Sequence, residues 1–235
     1  MYNCEAEFAN LNINWQFPFM ISQLPAPSTE AFDFLIRGLR PFGISARSVS
    51  IEGPTTNMDD VSIEIKLLNY QLNLSITYSG FEIAARDVDK EDAIQILQIL
   101  PIVFKSLEKI DSEVTKGVGN TKISLHLRLF EKIVDEYISD RISAKINNQN
   151  VIPEALVFSL DIDEITEHFP TKVTIAKSLV VDNGLFLEIN YQSGTSAQEF
   201  QVNEPMKFFQ QITEHYETIL DLLELNLIGE EENEQ

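Results

Sequence analysis

Cysteine is all but absent from this chain of 235 residues: Cys4 stands alone, so an internal disulfide is excluded and an inert thiol is expected. Basic side chains are also scarce, 17 against 37 acidic ones, which leaves a formal net charge of −20. A surface with that balance repels a phosphate backbone and an anionic bilayer, so neither nucleic acid nor a membrane is expected as a partner. No apolar run reaches spanning length. The longest, Ile94 to Phe104, is interrupted by Gln95, Gln98 and Pro101. Glu5 and Glu7 stand where a secretory signal would be basic and then apolar, so the chain reads as cytoplasmic.

What is present is ample core-forming material, with a hydrophobic share of 44% and 15 phenylalanines. Leu11, Ile13, Trp15 and Phe17 alternate with polar residues, the period of a strand with one buried face. Ser28 or Thr29 caps a short helix with Phe32, Leu35, Ile36 and Leu39 on one face, stopped by Pro41 and Gly43. The chain is extended again around Val49 and Ile51. Val61 to Leu67 and Leu72 to Tyr78 then alternate strictly, which predicts half-buried antiparallel strands, and Ser79-Gly80 turns into a third, Phe81 to Ala85. A long helix follows from Asp89 to Ile110, apolar almost all round and bent at Pro101.

Gly117-Val118-Gly119-Asn120 reads as a loop before a strand that turns Ile123, Leu125, Leu127 and Leu129 inward. A helix is expected from Phe130 to Ile146, and the polar stretch Asn147 to Asn150 marks a boundary. Strands follow over Leu156 to Ile162, Val173 to Val181 and Leu185 to Tyr191, with Asp182-Asn183-Gly184 as a tight turn. The last helix is expected from Asn203, with Pro205 in its first turn, to Ile228. Residues 229–235 form an acidic, solvated tail expected to be disordered.

The chain repeats itself. Leu74-Ser-Ile-Thr-Tyr78-Ser-Gly80 returns as Leu187-Glu-Ile-Asn-Tyr191-Gln-Ser-Gly194, each ahead of a long helix opened by an N-capping residue, Asp89 or Asn203. Strands in runs followed by helices, twice over, predict an α+β fold of internally duplicated antiparallel-sheet-plus-long-helix units. The expected organisation is a first half over 1–146 and a second over 147–228, packed as one pseudo-twofold domain.

Candidate chemistry is thin. His126 falls on the outward face of its strand beside Arg128 and reads as solvated. Asp161, Asp163, Glu164, Glu167 and His168 form the one dense set of metal-ligand types. Glu164 stands where an inverted zincin helix needs its first histidine, and a calcium loop's glycine and bidentate glutamate are missing, so no metal is expected. Gly117-Val-Gly119 lacks the spacing and the lysine of a phosphate loop, and no serine sits in a nucleophile elbow. No catalytic set, cofactor or enzymatic activity is expected.

Charge placement is the remaining signal. Glu214, Glu217, Asp221 and Glu224 are spaced by three, four and three, so they share one helix face opposite Phe209, Tyr216, Leu220, Leu223 and Leu227. Like charges at that spacing repel by a few tenths of a kcal/mol per pair, and anions near a helix C-terminus oppose its dipole. A stripe that works mildly against folding is the expected contact surface of a non-enzymatic interaction factor, of adaptor, chaperone-like or immunity type, for a basic protein partner. The alternative is a small-molecule-binding or enzymatic module with an apolar cavity between sheet and helices. Self-association is compatible with either.

Overall fold

The computed structural model describes residues 1–53, 58–141, 145–146, 149–150, 155–160, 171–192 and 205–228. They make an α+β structure of four α-helices, a ten-strand sheet and a separate two-strand ladder. In chain order the first elements are β1 (Tyr2–Gln16), α1 (Glu30–Leu39), β2 (Val49–Glu52), β3 (Ser62–Leu67), β4 (Leu72–Thr77), β5 (Gly80–Arg86) and α2 (Lys90–Glu108). Next come β6 (Val118–Leu129), α3 (Val134–Arg141) and the ladder of β7 (Lys145–Ile146) with β8 (Gln149–Asn150). The chain continues through β9 (Ala155–Leu160), β10 (Thr171–Lys177), β11 (Gly184–Gln192), α4 (Pro205–Leu222) and β12 (Leu225–Leu227). Contacts divide it into two compact units, each drawn from separated stretches. The larger comprises Asn10–Thr121 and Tyr191–Gln211, the smaller Met1–Ala9, Lys122–Asn190 and Ile212–Gln235.

In the larger unit the strand order begins β2-β3-β4-β5-β1, and each of these neighbouring pairs is antiparallel. Alternation fixes the faces: Ile63, Ile65 and Leu67 stand opposite Ile76, Leu74 and Leu72, and all six are buried. On the other face the Glu64 carboxylate accepts hydrogen bonds from Ser62, Asn73 and Ser75, so the polar side of the pleat is also knitted. Helix α1 starts where Thr29 Oγ1 accepts from the Phe32 N–H at 3.1 Å. Asp89 and Asp92 form a capping box at the start of α2, which runs through Pro101 without a break. Gly38 lets α1 lie close on α2, since a Cβ there would come within 2.5 Å of the Ile102 side chain.

Helix α2 buries Ile96, Ile99, Leu100, Val103, Phe104 and Leu107, but Ile94 is exposed, so one side stays open despite the broad apolar pattern. Phe104 meets Trp15 and Phe81 edge to face at 5.2 and 5.1 Å, and the Trp15 indole N–H donates to the Val114 carbonyl at 2.9 Å. The glycines before the expected strand are not a loop pair: Gly119 lies inside β6. A Cβ on it would come within 2.8 Å of Phe208 and 3.0 Å of Trp15, so the residue is glycine because a backbone passes against rings.

The smaller unit has the order β1-β6-β11-β10-β9, with β12 parallel to β1 in a register that pairs Tyr2 with Leu225 and Cys4 with Leu227. Leu125, Leu127 and Leu129 of β6 point inward as expected, as do Val173 and Ile175 of β10 and Leu185, Leu187 and Ile189 of β11. Asn183 takes the left-handed conformation that the tight turn requires, at φ 52°. Its side chain accepts from the Val134 N–H and donates to the Leu129 and Lys132 carbonyls.

Three expectations are corrected. The helix expected from Phe130 is α3 and starts at Val134. Phe130 and Ile133 are exposed residues before it, because Asn183 holds the intervening backbone in a loop. The last helix ends at Leu222, not Ile228, and Leu225–Leu227 pairs as a strand. The repeated strings occupy strands with different neighbours, not the shared hairpin order expected: β4 lies between β3 and β5, and β11 lies between β10 and β6. Residues 193–204, through which the second copy continues and which include Asn203, lie outside the described residues, as do residues 229–235.

Candidate functional site

Helix α4 turns Phe208, Phe209, Ile212, His215, Ile219 and Leu220 inward, and this burial fixes its other face toward solvent. Glu214, Glu217 and Asp221 are exposed on that outer face. The fourth residue of the expected stripe is elsewhere. Glu224 lies past the helix end in the left-handed region, φ 57°, and accepts from Arg141 Nη2 at 3.1 Å.

Arg141 closes α3 and serves the end of α4. Its Nη2 donates to the Leu223 carbonyl at 2.7 Å, where the Tyr137 hydroxyl donates as well, also at 2.7 Å. The guanidinium carbon lies 3.6 Å from the centre of the Tyr137 ring. Two donors, one of them a cation, thus meet the negative end of α4, which favours positive charge there against the acidic stripe. Burial raises the Tyr137 hydroxyl's pKa, keeping it a donor.

The smaller unit uses most of its cations internally. Lys122 pairs with Glu188, Arg128 with Glu7, Lys132 with Asp140, Arg141 with Glu224 and Lys177 with Asp135. Among the described residues, Glu217 and Asp221 have no such partner.

His126 is not simply solvated. It is half-buried, its ring centre 5.0 Å from that of Phe186, and its Nδ1 lies 2.9 Å from Ser178 Oγ. Ser178 Oγ accepts from the N–H groups of Val180 and Val181, which occupies its lone pairs and directs its own proton to His126. That serine is a link in the β10–β11 turn, whose tip presents Leu179 to solvent at 97% exposure. Cys4 is fully buried, and burial pushes its thiol up to about 11, the inert state expected of it. His215 is also buried, and desolvation lowers its pKa, with Glu214 opposing in part.

Asp161, Asp163, Glu164, Glu167 and His168 lie outside the described residues. Among the described ones, no group of three or more His, Cys, Asp or Glu side chains is arranged to hold a metal ion. No helix among them is long and apolar enough to cross a membrane. Two depressions open on the larger unit, one of about 480 Å³ beside Glu30, Phe34, Arg37 and Lys109 and one of about 250 Å³ beside Phe42, Leu68 and Gln95. Both are solvent-open, and the Lys109–Glu30 ion pair at 2.6 Å lines the first.

Sequence reasoning finds the exposed carboxylates from their spacing alone. It misses Arg141, since a basic residue in a helix's last turn reads as a complement to its own dipole, not to that of a helix about eighty residues on. No family model matches the chain, and a search of curated proteins finds no match to it either.

Proposed function

We propose that the chain is a non-enzymatic interaction factor whose α4 face, Glu214, Glu217 and Asp221, receives a basic segment of a protein partner. What carries this reading is the contrast between those exposed carboxylates and the rest of the smaller unit, where five cations are held in internal ion pairs. Glu217 and Asp221, exposed and without an ion pair among the described residues, project their field into solvent and speed the encounter with opposite charge. Glu224 belongs to the fold and is removed from the proposed surface.

The test separates this face from the general negative field. A fluorescent lysine-alanine peptide is titrated against the full chain, against E214Q/E217Q/D221Q, and against E52Q/E91Q/E108Q, a control with the same charge change at other exposed positions. At low salt the α4 variant is expected to weaken binding by about tenfold, and physiological salt shrinks the difference. Equal weakening by the control overturns the reading, because net charge alone then accounts for the attraction.

The duplication is a second proposal. Apart from β2 in the first run and the β7–β8 ladder in the second, each run has an opening strand, a short helix, three strands and a long helix: β1, α1, β3, β4, β5, α2 and then β6, α3, β9, β10, β11, α4. The strand orders β3-β4-β5-β1 and β9-β10-β11-β6 support it, as each places the third strand of the run beside the opening strand. In that alignment β4 corresponds to β10 and β5 to β11.

A further inference from the structure

We propose that β9 is the seam of a homodimer, in which its outer edge pairs antiparallel with β9 of a second copy. Six residues of β9 pair with β10, from Ala155 against Ala176 to Leu160 against Thr171. This uses one long edge of the strand. Among the described residues nothing occupies the other, since β9 ends the strand order. An open edge offers a row of unpaired N–H and C=O groups, and proteins ordinarily blunt it with charge, proline, a bulge or shortness.

The opposite end of the order is blunted in that way. Strand β2 has only four residues, ends in Glu52 and runs into Gly53 at φ 98°. Strand β9, Ala155-Leu-Val-Phe-Ser-Leu160, is longer and contains no charge, proline or glycine. In a chain of net charge −20, an uncharged edge of this length is the place where two copies meet without setting like charges against each other.

The sequence also fits a twofold axis. A twofold normal to the sheet keeps each side chain on its own face, so residues facing one another across the seam differ by an even number. Centred on Val157, the register sets Leu156 opposite the partner's Phe158 and Ala155 opposite the partner's Ser159. Centred on Phe158, it sets Leu156 opposite the partner's Leu160 and Val157 opposite the partner's Ser159. Every pair with both members in 155–160 is uncharged in either register, and apolar side chains dominate both, the kind of cross-strand contact that stabilises a sheet. The occupant is therefore a second copy, a choice that does not depend on the acidic face of α4.

Sedimentation of the full chain between about 1 and 300 µM tests the seam, a range suited to the modest area a six-residue strand buries. The expected result is a concentration-dependent species of twice 26.7 kDa that strengthens with salt, as screening lowers the repulsion between acidic copies. Val157 is 53% exposed, so Val157→Lys leaves the fold in place and is expected to weaken the dimer by at least about tenfold, while Val157→Thr retains it. Thermal melts of both variants confirm folding. Amide exchange at 155–160 should slow as concentration rises in the wild type and not in Val157→Lys. A chain that stays monomeric throughout, or a dimer that Val157→Lys leaves intact, overturns the proposal.

Discussion

Helices α2 and α4 each follow a hairpin strand and bury one broad apolar face, yet their ends are satisfied by different means. The start of α2 is closed by its own sequence, with the Asp89 carboxylate on the Asp92 N–H at 2.7 Å and a reciprocal bond back. The end of α4 is closed by another element, through Arg141 and Tyr137 on the Leu223 carbonyl. A locally capped helix keeps its end whatever its neighbours do. One capped from outside holds its last turn only while the outside element is docked, and such a turn tolerates an unfavourable charge stripe because a cation is supplied to it.

Three perturbations separate the behaviour of the two helices. The largest concerns the shared property, the buried face. Phe104 on α2 is nearly fully enclosed and edge-on to two aromatic rings, so Phe104→Ala should lower stability by about 3–5 kcal/mol in denaturant titration. A loss below about 1 kcal/mol would mean that the aromatic cluster collapses around the gap.

Next come the two ends. Arg141→Met keeps the apolar stem but removes the charged donor, and should cost about 2 kcal/mol. Asp89→Ala should cost about 1 kcal/mol. The more telling readout is where the structure loosens. Hydrogen exchange in Arg141→Met should rise across Leu225–Leu227 and the last turn of α4, and exchange in Asp89→Ala should rise only in the first turn of α2. If both variants loosen only their own helix, the distinction between local and external capping fails.

The smallest effect is on pH. His215, on the inner face of α4, has its folded-state pKa lowered by desolvation, so the unfolded chain binds the extra proton more readily. Its contribution is fully present above the unfolded value near 6.5 and is lost as pH falls through 6.5 toward the lowered folded value. The urea midpoint should drop between pH 7.5 and pH 5 by more in the wild type than in His215→Leu. Equal slopes would show that the helix admits the charged imidazole without penalty.

The strands were legible wherever burial alternates. Ile63, Ile65 and Leu67, and Leu72, Leu74 and Ile76, announce their inner face with period two, and the structure buries all of them. The α1 start was legible because Thr29 caps it within four residues. Gly119 misled, since two glycines in five residues signal a loop unless one knows that Trp15 and Phe208 press on that backbone. Phe130 and Ile133 misled as well, since they match a helical period that Asn183, some fifty residues away, prevents from starting there. The Leu74 and Leu187 strings mark strands with different sheet neighbours, β4 between β3 and β5 and β11 between β10 and β6, and amphipathic strands draw on a small set of residues.

By itself, the sequence determined the α+β class, the inward faces, the caps of α1 and α2 and the acidic outer face of α4, because each is written in the spacing of neighbours within a turn or two of chain. Tertiary structure decided where α4 stops and what becomes of Glu224. Arg141 is 82 residues from Leu223, and β12 pairs with β1 from the opposite end of the chain. A window of sequence encodes which side of an element seeks burial, but not which distant carbonyl, ring or strand edge will meet it.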